Sequence, residues 1–113
     1  MSISPPDFLI LAAISNAAPF ADLFRRKFGH PLPATGDHFV AFHRDQAGAL
    51  WPLSYLNFNR FGDIRLVGGG CTDGAVIRRM TEAQRDAVTA SGGVLVPLLR
   101  AGFRHYAADC DAY

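Results

Sequence analysis

The sequence predicts an α+β domain built around an antiparallel meander, and three observations carry that reading. Helical apolar spacing occupies both ends of the chain, with Phe20, Leu23, Phe24 and Phe28 near the start and Leu95, Leu98, Leu99, Phe103 and Tyr106 near the finish. Strand-like apolar and aromatic runs fill the middle, joined by connections too short for the crossover that parallel neighbours need. The chain has 113 residues, 50% hydrophobic and 19% charged, which suits one domain with a single core and excludes a disordered segment.

From the N-terminus, Ser4-Pro5-Pro6-Asp7 has the residues of a helix start: a capping serine, proline in the first turn and an acid at the positive dipole end. A first helix is therefore expected to about Asn16. Pro19 opens a second, closed by Gly29, with Arg25, Arg26 and Lys27 in its last turn as the helix dipole favours. Two prolines and a glycine make His30 to Gly36 a loop. Strands are expected at His38 to Asp45, Ala49 to Arg60, Ile64 to Val67 and Ala75 to Met80, a three- to four-stranded meander interrupted at Gly68-Gly69-Gly70. Thr81 and Gln84 have capping-box spacing, so a helix follows to about Ser91. Gly92-Gly93 breaks it, and a last helix runs from about Val94 to Asp109, with Pro97 confined to its first turn.

Lys and Arg total 11 against 10 for Asp and Glu, a net +1 that supplies no long-range field toward nucleic acid or an anionic membrane. Arg78, Arg79, Arg100 and Arg104 with Tyr106 could line a groove, but the balance lacks the basic excess such binding shows. Neither nucleic acid nor a membrane is expected as a partner. The apolar run Phe8 to Ile14 falls far short of a membrane span, and the two cysteines form no CxxC pair, so a reduced cytoplasmic setting is the default.

Each chemical constellation has a plainer structural reading. Gly68 to Gly74 follows a strand as a phosphate loop does, yet it lacks GK[ST], so a bulge or hairpin corner is expected, with nucleotide binding as a third functional possibility. His38 and His43 are an odd number of residues apart and point to opposite faces of a strand unless a bulge intervenes. His105, Asp109 and Cys110 lie close on a helix but make no closed metal site, and no metal is expected. Cys71 as a nucleophile with His105 or His43 as base has no local sequence support beside the reading of a small buried residue.

The order of two helices, three antiparallel strands and a glycine turn opening an amphipathic helix resembles the N-terminal portion of the GCN5-related N-acetyltransferase (GNAT) fold, over residues 5 to 109. The resemblance implies a strand whose exposed backbone pairs with the pantetheine arm of acetyl-CoA, at Ala75-Val76-Ile77-Arg78-Arg79. It also implies a [QR]-x-x-G-x-[GA] turn holding the pyrophosphate at a helix N-terminus, at Ser91-Gly92-Gly93-Val94. Thr89 stands at the Gln/Arg position and Val94 at the final Gly/Ala position. Val76, Ile77, Arg78, Gly92, Gly93 and Val94 are thus the candidate acetyl-CoA contacts. The function implied is acetyl transfer from acetyl-CoA to an amine, with Asp63, Asp73, His105 and Tyr106 as general bases by type only. Since the resemblance spans about half of a complete family domain, the chain is expected to be truncated relative to it, with weak or absent activity. The alternative is a non-enzymatic interaction domain, a homodimer formed at an exposed sheet edge, with Trp51, Tyr55, Phe58 and Phe61 as aromatic contacts, Trp51 and Tyr55 on one strand face and Phe58 on the other.

Overall fold

The structure, a computed structural model, describes residues 7–110. The proposed helix start at Ser4-Pro5-Pro6 lies outside them. Strand β1 (Leu9–Ile14) leads through a 3-10 turn (Ala18–Phe20) into helix α1 (Ala21–Phe28). Strands β2 (Asp37–Arg44), β3 (Leu50–Phe61) and β4 (Ile64–Thr72) follow, then helices α2 (Gly74–Arg79), α3 (Glu82–Ala90) and α4 (Leu95–Tyr106). The strands form one sheet in the order β1-β2-β3-β4, every neighbouring pair antiparallel. The α+β class and the meander therefore stand.

Two elements differ from the sequence reading. Residues 9–14 form a strand, not a helix: a short unbroken apolar run carries no decisive period, and here six residues pair along β2 from Leu9–His43 to Ile14–His38. The segment from Ala75 to Met80 is helical up to Arg79, not a strand. Its start is fixed by Asp73, whose carboxylate accepts the Ala75 N–H at 2.9 Å as an N-cap. The fourth strand instead continues through the glycines to Thr72, absorbing an irregularity between its pairings with Tyr55 and Asn57.

Helix ends follow their sequence signals. Gly29 takes a left-handed conformation (φ 76°) and donates to the Arg25 carbonyl at 2.8 Å, closing α1 behind its three basic residues. Thr81 and Gln84 form the expected capping box, with both reciprocal bonds at 3.1 Å. Gly93 donates to the Val88 carbonyl at 2.9 Å, turning the chain sharply from α3 into α4.

The sheet is covered on both faces. On one, Phe20, Leu23 and Phe24 of the first helical segment pack against Val40, Tyr55 and Cys71. On the other, Val76, Met80, Val88, Val94, Leu98 and Tyr106 of the last three helices pack against Leu9, Phe39, Ala41, Leu53, Leu56 and Phe58. A bulge in β3 at Leu53, between the Ser54–Ala41 and Pro52–Phe42 pairs, resets the alternation. Trp51 consequently sides with the α2–α4 face and Tyr55 with the α1 face, which corrects the expectation that they share one.

The β2–β3 hairpin is tied by Asp45, whose carboxylate accepts the amides of Ala47 and Ala49 and, at 2.8 Å, the indole N–H of Trp51. The Trp51 bond and then the Ala49 amide hold this carboxyl below its ordinary range. A depressed folded pKa means stabilisation that is present above the unfolded value and lost as pH falls through the folded one. Because Trp51 is the chain's single tryptophan, an acid titration of intrinsic fluorescence should show a transition below about pH 4. Asp45→Asn is expected to abolish it.

Candidate functional site

The strand that borders the end of the sheet is β4, and residues 68–70 of it are glycine. The Asp73 amide bonds inward to the Leu53 carbonyl at 2.7 Å, so strand alternation turns the Thr72 amide outward. No strand pairs with that edge among the described residues.

Glycine is required here by what lies above and below. At Gly69 (φ 67°) a Cβ would stand 3.0 Å from Phe24 Cε2, so α1 lies directly on the strand. At Gly70 a Cβ would stand 3.2 Å from Leu56 Cδ2 and 3.7 Å from Leu95 Cδ1, so the first residue of α4 lies against the opposite face. The glycine tract thus lets two helices close on an edge strand from both sides.

Helix α4 begins there without a cap. Val94 at the N-cap offers no side-chain acceptor, and the first turn contains no acid. Its leading amides have no intrahelical acceptor and carry the positive end of the dipole, while Pro97 has no amide to contribute. The edge strand β4 and the uncapped start of α4 are therefore neighbours at Gly70, an arrangement suited to an extended ligand with an anionic group.

Of the six residues predicted to hold the cofactor, Gly92, Gly93 and Val94 form the turn into α4, with positive φ at both glycines and Val94 buried. Val76, Ile77 and Arg78 are a correction. They lie on helix α2, so their amides offer no strand edge; Val76 is buried, Ile77 packs against the same core, and Arg78 is exposed. Gly70 and Leu95, not among those six, are the pair that brings β4 against the start of α4. Their signal was a glycine run continuing a strand, read instead as an interruption.

The other candidates separate. Cys71 lies on the α1 face, whereas His43 and His105 lie on the opposite one, His43 against Gln84 and His105 against Phe39, so the sheet stands between thiol and imidazole. Burial pushes the Cys71 thiol up, against a smaller opposing pull from Lys27, the reverse of what a nucleophile needs. His38 and His43 occupy opposite faces as expected. Among the described residues no group of three or more His, Cys, Asp or Glu could hold a metal ion. Asp109's side chain lies outside the described residues.

The candidate bases do not converge on β4. Asp73 caps α2 and pairs with Arg26 at 3.2 Å, Asp63 is an exposed turn residue, and His105 is exposed. Tyr106 is buried beneath the Arg65 guanidinium, 4.2 Å from its ring centroid, so it is no stacking platform for bases. Arg79 instead stacks on Trp51 at 3.8 Å. No helix among the described residues is long and apolar enough to cross a membrane.

Comparison of this chain with protein-family models, with curated proteins and with solved structures finds no match.

Proposed function

We propose that this domain binds an acyl-CoA along the outer edge of β4, in the manner its resemblance to the GNAT fold implies. One observation carries the reading: β4 ends with an outward Thr72 amide, and the uncapped start of α4 reaches that strand where Leu95 packs on Gly70. An extended pantetheine amide chain matches the first, and a diphosphate matches the second. Although α2 and α3 lie between them in the chain, β4 and the start of α4 touch where Leu95 packs on Gly70. Acetyl transfer to an amine is the chemistry that goes with this ligand, and a cytoplasmic setting goes with it too. With no base gathered at the edge, binding is expected to exceed turnover.

The test uses a charge in place of a fold-breaking change. Val96→Glu puts an acid in the first turn of α4, which favours the helix through its dipole while repelling an incoming diphosphate. Isothermal titration of the intact chain with acetyl-CoA should give saturable binding, weakened about tenfold or more in Val96→Glu, since one unfavourable charge contact near an anion is worth on the order of 1 kcal/mol or more. Adenosine diphosphate, lacking the pantetheine arm, should bind more weakly than acetyl-CoA. Absence of heat with millimolar acetyl-CoA, or binding indifferent to Val96→Glu, would overturn the reading.

A further inference from the structure

The opposite border of the sheet has a different character. Strand β1 reads Leu9-Ile10-Leu11-Ala12-Ala13-Ile14 after Phe8, an unbroken apolar run without charge, proline or glycine. Its pairing with β2 is regular from end to end, and no strand covers its outer side among the described residues. Proteins usually blunt such an edge with a lysine, a proline or a bulge. The β4 pairing is interrupted by an irregularity at the glycines; among the described residues β1 has no such device.

Hydrogen bonding fixes which groups are free to pair. The Phe8 carbonyl accepts the Arg44 amide at 2.8 Å, so Phe8, Ile10, Ala12 and Ile14 direct their backbone groups toward β2. Leu9, Leu11 and Ala13 direct theirs outward. Side chains are already committed: Leu9 and Leu11 pack toward the α2–α4 face and Ile14 toward the α1 face.

We propose that a second copy of this chain pairs antiparallel along β1, with its two-fold axis at Leu11, joining the two sheets into one. This register sets Leu9 opposite Ala13 of the second copy, Leu11 opposite Leu11, and Ala13 opposite Leu9. Every outward N–H and C=O of these residues then meets its counterpart. On the other face Ile10 lies opposite Ala12, so a large side chain meets a small one at each off-centre position within the strand except the flanking Phe8–Ile14 pair. No like charges are brought together, since Asp7 falls opposite Ser15. A slip of two residues leaves one outward residue of β1 facing beyond the partner strand, and a slip of one would put core-facing side chains opposite those of the wrong face. The segment is thus complementary to itself, which is what a closed two-fold interface requires. The interface leaves the β4 edge open, so it is independent of the ligand reading.

Sedimentation velocity across micromolar to near-millimolar concentrations should show a reversible monomer–dimer equilibrium. Ala13→Pro removes an amide that points to solvent in the isolated chain, so the monomer keeps its internal hydrogen bonds and its far-ultraviolet circular dichroism. The dimer loses two ladder bonds and should weaken about tenfold or more. In the wild-type chain, amide exchange at Leu9, Leu11 and Ala13 should slow as concentration rises, a readout that holds even if Ala13→Pro does not fold. A chain monomeric at every concentration, a dimer whose affinity Ala13→Pro leaves unchanged, or a dimer in which those three amides exchange freely would overturn the proposal.

Discussion

Gly102→Ala is expected to destabilise the protein by about 1–3 kcal/mol, the usual cost of forcing an extra methyl into a packed core. In an exposed helix the same change would stabilise by about 1 kcal/mol, so the sign itself is diagnostic. The cause is the close approach of α4 to β3: a Cβ at Gly102 would stand 2.3 Å from Phe58 Cζ and 2.6 Å from Cε2. Phe58 is fully buried and held by Phe39, Phe103 and Tyr106, so its ring has little room to withdraw. Either the ring leaves its position or α4 lifts from the sheet. Urea denaturation should show a lower midpoint with an unchanged slope. Phe58→Leu, itself destabilising through lost ring contacts, should recover part of the Gly102→Ala loss in the double variant, because the two sites share one volume. A neutral or stabilised Gly102→Ala chain would mean that α4 does not lie this close to β3. The consequence reaches the candidate site, since the seat of α4 on Phe58 also sets where its N-terminus meets Gly70.

What could be read from the sequence was the part fixed by local chemistry. The capping box at Thr81 and Gln84, the glycine stop after Lys27-Phe28 and the short β2–β3 and β3–β4 connections each act within a few residues, and each appears where expected. The failures occurred where distant contacts decide. Leu9–Ile14 has no period that separates a buried strand from a buried helix, and its pairing with β2 settles the matter across the chain. Ala75-Val76-Ile77 has strand-like residue types, but Asp73 caps it as a helix once β4 delivers the chain to the end of the sheet. The Gly68-Gly69-Gly70 tract looked like a break because glycine is a poor strand former in isolation. It is strand because it pairs with β3 and glycine because Phe24 crowds it above and Leu95 below, neither of which a local pattern reveals. Half of the candidate site was therefore legible, the turn at Gly92-Gly93, and the strand edge beside it was not.

The opposite face depends on Tyr55, and removing its side chain should be among the costliest single changes. Tyr55 is fully buried, packs against Phe20 and Phe24, and joins the first helical segment to the sheet. Its hydroxyl makes a short hydrogen bond with His38 Nδ1 and accepts from Asn57 Nδ2 at 3.3 Å, while Asn57 also donates to the Thr35 carbonyl at 3.1 Å. One phenol thus anchors α1 through its ring and ties His38 of β2 to Asn57 of β3 through its oxygen, while Asn57 holds the loop before β2. Tyr55→Ala should cost about 3–5 kcal/mol, as aromatic-to-alanine changes in cores do. Tyr55→Phe keeps the ring and should cost about 1–3 kcal/mol, the loss for buried groups whose partner is removed. The pair divides the packing contribution from the hydrogen bonds, and equal losses for the two variants would contradict the assigned role of the ring. An alkaline titration supplies a separate check. Burial is the main influence on the phenol and pushes its pKa up, only partly offset by the Asn57 bond. A raised folded pKa means that the protonated form is favoured by folding, so its contribution is complete below the unfolded value of about 10 and is lost as pH climbs through the folded one. Wild-type stability should accordingly fall above about pH 10, and Tyr55→Phe should flatten that fall while lowering stability at neutral pH. A variant with an undiminished alkaline loss would assign the titration to another group.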